Sequence, residues 1–315
     1  MSVPNSLPGV WPQLEPGRFA SGFRTQSPAG CRLALLGLPD DLGVKLNFGR
    51  AGAKAGPTAF RAALAGFGVP WDGLAKRVLD VPVYDAGDVT PAPGGDEAAL
   101  FETHRRVESA VSHLRELGLV TVCIGGGHDL SLPTLTAVAR QAGRALGGIN
   151  VDAHLDVRAR IGSGMPFRRL IDGGYVDPRQ FVELGLGRFV NDRSDLEWLS
   201  GLGATLIHAQ RILERRLGVP GVRAALATAC AGGHAFLSID LDVLDQSIAP
   251  GVSAPNPMGL ALRDVAELAE AAGKRPEVGH FDLMELNPSY DVDGRTARTA
   301  ALLFLHFVAG FVARE

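Results

Sequence analysis

The sequence has few cysteines, and those it has are isolated. Cys31, Cys123 and Cys230 are the only three among 315 residues, and their number is odd. They form no CxxC pair, so neither a disulfide framework nor a cysteine-rich zinc site is expected. This pattern is typical of buried, reduced thiols and predicts a cytoplasmic protein.

The sequence also lacks a strong charge of one sign and a long hydrophobic run. The formal net charge is −3, from 31 basic and 34 acidic residues. A nucleic-acid partner is not expected, because such proteins present a basic surface. No apolar run reaches the roughly 18–20 residues that a membrane helix needs, so no membrane partner is expected. The first residues lack a basic stretch followed by an apolar one, so secretion is not indicated.

Strand-like and helix-like patterns alternate along most of the chain. Residues 1–30 are rich in Pro, Gly and Ser, and we interpret them as an extended N-terminal arm that is packed on a neighbour or mobile. Residues 31–315 show no linker and are predicted to form a single catalytic domain. Alternation of strands and helices favours parallel pairing and an α/β fold. The pattern alone leaves open a doubly wound three-layer sheet and a (β/α)8 barrel. The predicted strands include 32–38, 78–84, 119–124, 147–151, 235–239 and 277–284, and the predicted helices include 97–117, 132–142, 262–272 and 295–313.

Four of the predicted strands end at residues that can bind a metal ion. Parallel α/β proteins place their sites at the carboxyl ends of strands, and alternate residues of a strand point to one side. Buried carboxylates persist only when they are paired or bound to a metal. Carboxylates with two imidazoles favour Mn²⁺, with Zn²⁺, Fe²⁺ or Co²⁺ as alternatives. The candidate ligands are His128 after three glycines, then Asp152, His154 and Asp156, then Asp240 and Asp242, and Glu285.

These motifs resemble the ureohydrolase family, which includes arginases, agmatinases, guanidinobutyrases and formimidoylglutamases. The resemblance implies a three-layer αβα sandwich with a mainly parallel sheet of about eight strands, and so favours the sandwich over the barrel. It also implies a homo-oligomer, a trimer or a hexamer. The motifs are GGGHD at 125–129, DAHLD at 152–156, SIDLDVLD at 238–245 and ELNP at 285–288.

The resemblance further implies a site with two manganese ions per subunit and a metal-bridging hydroxide as the nucleophile. Asp156 would orient that hydroxide, and Glu285 would pair with the cationic amidine or guanidine group of the substrate. One ion would be held by His128, Asp152, Asp156 and Asp240, and the other by Asp152, His154, Asp240 and Asp242.

Within the family, the stretches 44–57, 156–167, 249–255 and 287–298 are most similar to formimidoylglutamases. The implied reaction is the hydrolysis of N-formimidoyl-L-glutamate to L-glutamate and formamide, a step of histidine degradation. This substrate carries two carboxylates, which arginine forks bind well. The candidate substrate-binding residues are Arg158, Arg50, Asn47 and Ser163, together with Glu285.

One feature of the sequence departs from the pattern of arginases and agmatinases. Arginases and agmatinases carry a proton-shuttling histidine shortly after the first aspartate motif, whereas this sequence has Phe167 near that place. This argues against both activities and leaves the general acid unassigned.

The main alternative is a guanidino-acid ureohydrolase that releases urea. A single-zinc deacetylase would not need both Asp240 and Asp242, and a non-catalytic metal protein would not need the whole ligand set.

Overall fold

The computed structural model of the protein describes residues 3–73, 76–79, 81–215 and 217–314. Strands and helices alternate through most of these residues. The strands are β1 (Ser6–Leu7), β2 (Leu33–Leu38), β3 (Trp71–Asp72), β4 (Arg77–Val78), β5 (Val83–Val89), β6 (Val120–Gly125), β7 (Leu146–Val151), β8 (Val176–Leu186), β9 (Thr205–His208), β10 (Ala235–Asp240) and β11 (Val278–Met284). The helices are α1 (Leu42–Leu46), α2 (Gly56–Leu64), α3 (Glu97–Glu116), α4 (Ser131–Ala142), α5 (Pro166–Asp172), α6 (Arg193–Gly201), α7 (Ala209–Arg215), α8 (Gly218–Ala229), α9 (Leu262–Gly273) and α10 (Arg295–Val312).

One central sheet of nine strands organises the fold. Its order is β1-β5-β2-β6-β11-β10-β7-β8-β9, and β3 and β4 form a separate antiparallel hairpin. Eight strands of the sheet run parallel, and the two-residue strand β1 pairs antiparallel with β5 at one edge. The strands β6, β11, β10 and β7, which precede the predicted metal ligands, are neighbours. The predicted mainly parallel sheet is confirmed.

Helices cover both faces of the sheet. In β2, Leu33 and Leu35 belong to one hydrophobic core, whereas Ala34 and Leu36 belong to a second core on the opposite face. Strand residues point alternately to the two faces, so a strand buried on both sides is apolar throughout. The first core includes residues of α2 and α7–α10, and the second includes residues of α3–α6. This arrangement is the predicted three-layer αβα sandwich and excludes the barrel.

Some element bounds differ from the prediction. The single strand predicted for 78–84 is wrong: β4 ends at Val78, and β5 begins at Val83. Pro82, which has no N–H to donate to a sheet, lies immediately before β5. Helices α1, α5, α6 and α7 are not predicted by the sequence pattern, because segments of 5–9 residues are too short to show a helical period.

Residues 3–30 pack on the rest of their own chain. Strand β1 pairs with the end of β5, and Phe19 and Ala20 are buried in the first core. The indole N–H of Trp11 donates to a carboxylate oxygen of Asp85 in β5. The segment is therefore attached by backbone pairing, by apolar packing and by one polar contact. Among the described helices, none has the length and apolar character that spanning a membrane requires.

Candidate metal centre

The polar residues predicted as ligands converge at one edge of the sheet. Asp152 follows β7, Asp240 ends β10, and His128 follows β6 after two glycines. Because these strands are parallel and β11 lies between β6 and β10, their carboxyl ends open on the same edge. Glu285 follows β11 and reaches the same place, where one of its carboxylate oxygens accepts a hydrogen bond from the backbone N–H of His128 at 3.0 Å.

Three carboxylates surround the Nδ1 atom of His128. This nitrogen lies 3.0 Å from Oδ2 of Asp156, 3.2 Å from Oδ2 of Asp240 and 3.3 Å from Oδ2 of Asp152. One ligand atom from each of the four residues lies within 4.8 Å of all the others. We call these residues the first ligand group.

A second ligand group consists of Asp152, His154 and Asp242. Nδ1 of His154 lies 3.1 Å from Oδ2 of Asp242 and 3.4 Å from Oδ1 of Asp152. Asp152 is shared, because its other oxygen faces His128 of the first group. Asp240, expected in both sets, falls in the first group alone: its Oδ1 accepts the backbone N–H of Asp242 at 2.8 Å.

Two carboxylate residues of the site have unusual backbone angles. Asp156 has φ of 49° and Glu285 has φ of 66°, in the left-handed region that non-glycine residues seldom adopt. Such conformations cost on the order of 1–3 kcal/mol each and persist where the surrounding structure imposes them, as at functional sites. Here the strain lies in the loop after β7, which carries Asp156, and at the residue directly after β11, Glu285; both carboxylates lie close to His128.

The site concentrates negative charge away from water. Burial, followed by the nearby Asp242 and Asp152 carboxylates, raises the pKa of Asp240 well above its usual range. Burial also raises the pKa of Asp242 to about 6, although His154 opposes this shift. For His128, burial disfavours the charged ring, but the three nearby carboxylates of its group raise its pKa well above the ordinary value. The protein alone therefore supplies too little positive charge for these carboxylates.

The residues of both groups fit divalent cations. Nδ1 of His128 in the first group and Oδ1 of Asp242 in the second are buried without a hydrogen-bond partner among the described residues. Buried polar atoms of this kind require a partner, and a cation between them would supply it. The donors are carboxylate oxygens and imidazole nitrogens without a thiol, which suits Mn²⁺ and similar ions.

A buried polar network lies behind His128. Its Nε2 is 2.9 Å from Oγ of Ser238, and Ser238 donates to a carboxylate oxygen of Asp282. The other oxygen of Asp282 accepts from Ser131 at 3.0 Å and lies 3.2 Å from Nε2 of His280. Because the Ser238 proton goes to Asp282, the serine oxygen accepts from Nε2–H of His128. In the neutral ring Nδ1 then carries no proton and faces the carboxylates, which is the tautomer that a metal needs.

Sequence reasoning missed the roles of Ser238 and Asp282. A signal was present, because each is a polar residue inside an otherwise apolar strand. Ser238 stands two residues before Asp240 and so points to the same face of β10.

Replacing Asp282 with asparagine (Asp282→Asn) is expected to weaken manganese binding by about 10- to 100-fold, as removal of such supporting partners does in other metal sites. The carboxylate that keeps Ser238 in its accepting role would be lost. Titration calorimetry or chelator competition would measure the effect, with Asp172→Asn at an exposed ion pair as the control. Unchanged manganese affinity in a folded Asp282→Asn protein would contradict the role assigned to this network.

Three of the predicted substrate-binding residues meet beside the first ligand group. Oδ1 of Asn47 accepts from Nη1 of Arg158 at 3.1 Å, and Nδ2 of Asn47 donates to Oγ of Ser163 at 3.2 Å. Gly164 connects this cluster to the metal ligands: a Cβ there would lie 3.1 Å from Cδ of Arg158 and 3.5 Å from Oδ1 of Asp156. The arginine therefore lies close to the place where a substrate would meet Asp156.

Arg50, the fourth candidate, has other partners. Its guanidinium donates to the backbone oxygens of Val252 and Ser253 at 2.6 and 3.2 Å. It also lies over the ring of Tyr290, with 4.0 Å between its Cζ and the ring centroid. Burial raises the pKa of Glu285 to about 8, and the neighbouring Ser253 side chain opposes that shift. Arg50 thus holds the segment that contacts Glu285, and the structure does not place it in the Asn47 cluster.

Phe167 lies behind His128. Its ring is fully buried and meets the His128 ring edge-on, with 5.6 Å between centroids. Phe181 and Phe236 pack around it on the second face of the sheet. The side chain at this position therefore packs against a ligand and offers no proton to a leaving group.

Comparison with known proteins identifies relatives over nearly the whole chain. Residues 31–310 match the model of the arginase family. The chain is 34% identical over 305 residues to a formimidoylglutamase of Ralstonia nicotianae, covering 90% of this chain and 86% of that protein. It is 36% identical over 301 residues to a formimidoylglutamase of Nocardia farcinica, covering 90% and 88%. A crystal structure of Trypanosoma cruzi formiminoglutamase with Mn2+2 superposes with a TM-score of 0.86 at 34% identity, covering 95% of this chain and 99% of that one.

Proposed function

This chain belongs to the arginase family, and from that premise we propose that it is a binuclear manganese hydrolase of N-formimidoyl-L-glutamate. The reaction adds water across the formimidoyl C–N bond and yields L-glutamate and formamide. The observation that carries the proposal is the pair of ligand groups joined through Asp152, one oxygen of which faces each histidine. A shared carboxylate of this kind suits two cations held close together.

We assign one manganese ion to His128, Asp152, Asp156 and Asp240. The other is assigned to Asp152, His154 and Asp242, with Asp240 added by the pattern of the family. Two ions held by these residues would supply Lewis-acid chemistry, which polarises a substrate and lowers the pKa of water.

The protein's own part is to orient the substrate. Glu285 is 2% exposed, and its Oε2 has no hydrogen-bond partner among the described residues. Its Oε1 is fixed by the backbone of His128, so Oε2 is the atom that we assign to the cationic amidine group. Held there, the substrate places its electrophilic carbon against the ligand groups, which is an entropic contribution to catalysis.

Arg158 is assigned to a carboxylate of the substrate. It is half-buried, anchored by Asn47, and two residues beyond Asp156. The change Arg158→Ala is expected to raise KM by about 10- to 100-fold, the value of a charged hydrogen bond, while metal content stays at its wild-type level. Steady-state kinetics with metal analysis would measure both, and Arg193→Ala, at an exposed ion pair with Glu197, is the control. An unchanged KM would remove Arg158 from the substrate site.

A product assay tests the proposed function directly. Manganese-loaded protein would be offered N-formimidoyl-L-glutamate, 4-guanidinobutanoate, agmatine and arginine in parallel. Release of glutamate and formamide from the first substrate alone is the expected result. Urea from a guanidino acid would keep the metal centre and overturn the assigned substrate.

We also propose a cytoplasmic homo-oligomer. All three cysteines are free, which suits a reducing compartment. The side chains of Val69, Trp71 and Val78, on and next to the β3–β4 hairpin, are exposed and would be covered by association of subunits. Light scattering would test the oligomeric state, since a molar mass of 33.1 kDa would identify a monomer.

A further inference from the structure

A second arginine shares the amide of Asn47 with Arg158. Nη2 of Arg160 lies 3.0 Å from Oδ1 of Asn47, the same oxygen that Nη1 of Arg158 approaches at 3.1 Å. Neither guanidinium forms an ion pair with a carboxylate of the described residues, so one neutral oxygen holds two cations side by side. Like charges repel at this separation, and an anionic ligand would relieve that repulsion.

The two arginines lie at different depths. Asp156 is nearly buried, Arg158 is half-buried and Arg160 is exposed, so the row of alternate residues leads from the metal ligands outward. A substrate bound with its reacting end at the two ligand groups would therefore have Arg158 beside the part close to that end. Arg160 would lie beside the part closer to solvent.

An exposed aromatic ring lies beside Arg160, the more exposed of the two arginines. Phe48, next to Asn47, is 86% exposed and has φ of 61°. A bulky residue in this left-handed region is strained, and such strain clusters at functional sites. Cζ of Arg160 lies 5.4 Å from the centroid of the Phe48 ring, within cation–π range. Asn47 and Phe48 together limit the positions that the Arg160 guanidinium can take.

On the basis of the proposed function, we propose that Arg160 is a specificity-determining residue that binds the side-chain carboxylate of the glutamyl substrate. In that substrate the α-carboxylate is attached next to the amidine nitrogen, and the second carboxylate is two methylene groups further away. The carboxylate nearer the reacting carbon meets the deeper Arg158, and the farther one meets Arg160. The pair of arginines thus selects dicarboxylates over amidines that carry one carboxylate.

The kinetic test compares a substrate with its neutral isostere. Wild-type protein is expected to prefer N-formimidoyl-L-glutamate over N-formimidoyl-L-glutamine by about tenfold or more in kcat/KM, the value of one charged hydrogen bond. The change Arg160→Gln is expected to abolish this preference by lowering kcat/KM on N-formimidoyl-L-glutamate about tenfold more than on the glutamine compound. Arg160→Lys should recover part of the preference, because it retains charge but not the fork. Arg193→Gln, at the exposed ion pair with Glu197, is the matched control.

Equal losses on both substrates in Arg160→Gln would overturn the inference and assign Arg160 a purely structural role. A wild-type protein that hydrolyses N-formimidoyl-L-glutamate but shows no preference over the glutamine compound would also overturn it, and would leave the proposed function standing.

A binding measurement separates this inference from the proposed function. Calorimetry on manganese-loaded protein would compare L-glutamate with L-glutamine, without any turnover. We expect about tenfold tighter binding of L-glutamate to the wild type and equal binding of both to Arg160→Gln. If the protein does not hydrolyse N-formimidoyl-L-glutamate but binds L-glutamate more tightly than L-glutamine through Arg160, only the proposed reaction is contradicted. Equal binding of the two amino acids to the wild type would defeat the role of Arg160.

Discussion

Replacing Asp242 with alanine (Asp242→Ala) is expected to leave one manganese ion per chain and to lower kcat by about 10³-fold or more. The second ligand group has three members, and this change removes a buried carboxylate oxygen 3.1 Å from Nδ1 of His154. The first group keeps its four members. A metal pair contributes several kcal/mol to the stabilisation of a transition state, and each 1.36 kcal/mol corresponds to tenfold in rate. Metal analysis and steady-state kinetics on the same preparation would measure both effects.

The control for this experiment is Asp172→Ala, which removes an aspartate at the end of α5 whose side chain is 58% exposed and pairs with Arg168. It is expected to keep both ions and full activity. Near-normal turnover of Asp242→Ala with one bound ion would contradict a two-metal mechanism. Loss of both ions would instead show that the two ligand groups bind their ions cooperatively through Asp152.

The change Arg61→Ala is expected to lower the free energy of unfolding by about 3–5 kcal/mol, as breaking a buried ion pair does. The Arg61 side chain is 1% exposed and lies 2.9 Å from Asp85 and 2.6 Å from Asp88. Without it, buried carboxylate charge on β5 is left uncompensated. Trp11 also donates to Asp85, and a Cβ on Gly9 would lie 2.5 Å from Cζ of Arg61, so the N-terminal segment rests directly on this pair. Denaturant unfolding followed by tryptophan fluorescence would measure the loss.

A matched control lies in the same segment. Arg18 pairs with Glu15 at 3.0 Å, but both side chains are exposed, and such pairs contribute about 0–1 kcal/mol. Arg18→Ala is therefore expected to change the unfolding free energy by less than about 1 kcal/mol. Equal losses of unfolding free energy in the two variants would show that the buried Arg61 pair adds no more stability than the exposed Arg18 pair.

The residues of the two ligand groups could be predicted from the sequence because their signal is local. A buried strand is a short apolar run, and Asp152 or Asp240 at its end stands out as a charge that burial would not tolerate alone. The alternation of side chains along an extended chain predicts that Asp240 and Asp242 converge, but Leu241–Val243 forms a short 3₁₀ helix, and the two aspartates fall in different ligand groups. The convergence of residues from different strands follows from the parallel sheet, because the carboxyl ends of parallel strands lie at one edge.

The sequence by itself thus determined the fold class, the metal-binding residue types and the edge of the sheet where they meet. Only the tertiary structure decided which residues support them. Ser238 and Asp282 are 44 residues apart, and Asn47 and Arg160 are 113 apart, yet each pair is in hydrogen-bond contact. No periodicity or local propensity specifies a contact between residues so distant along the chain. These contacts arise because the packing of whole elements fixes where side chains meet, and that packing follows from burial over the entire molecule.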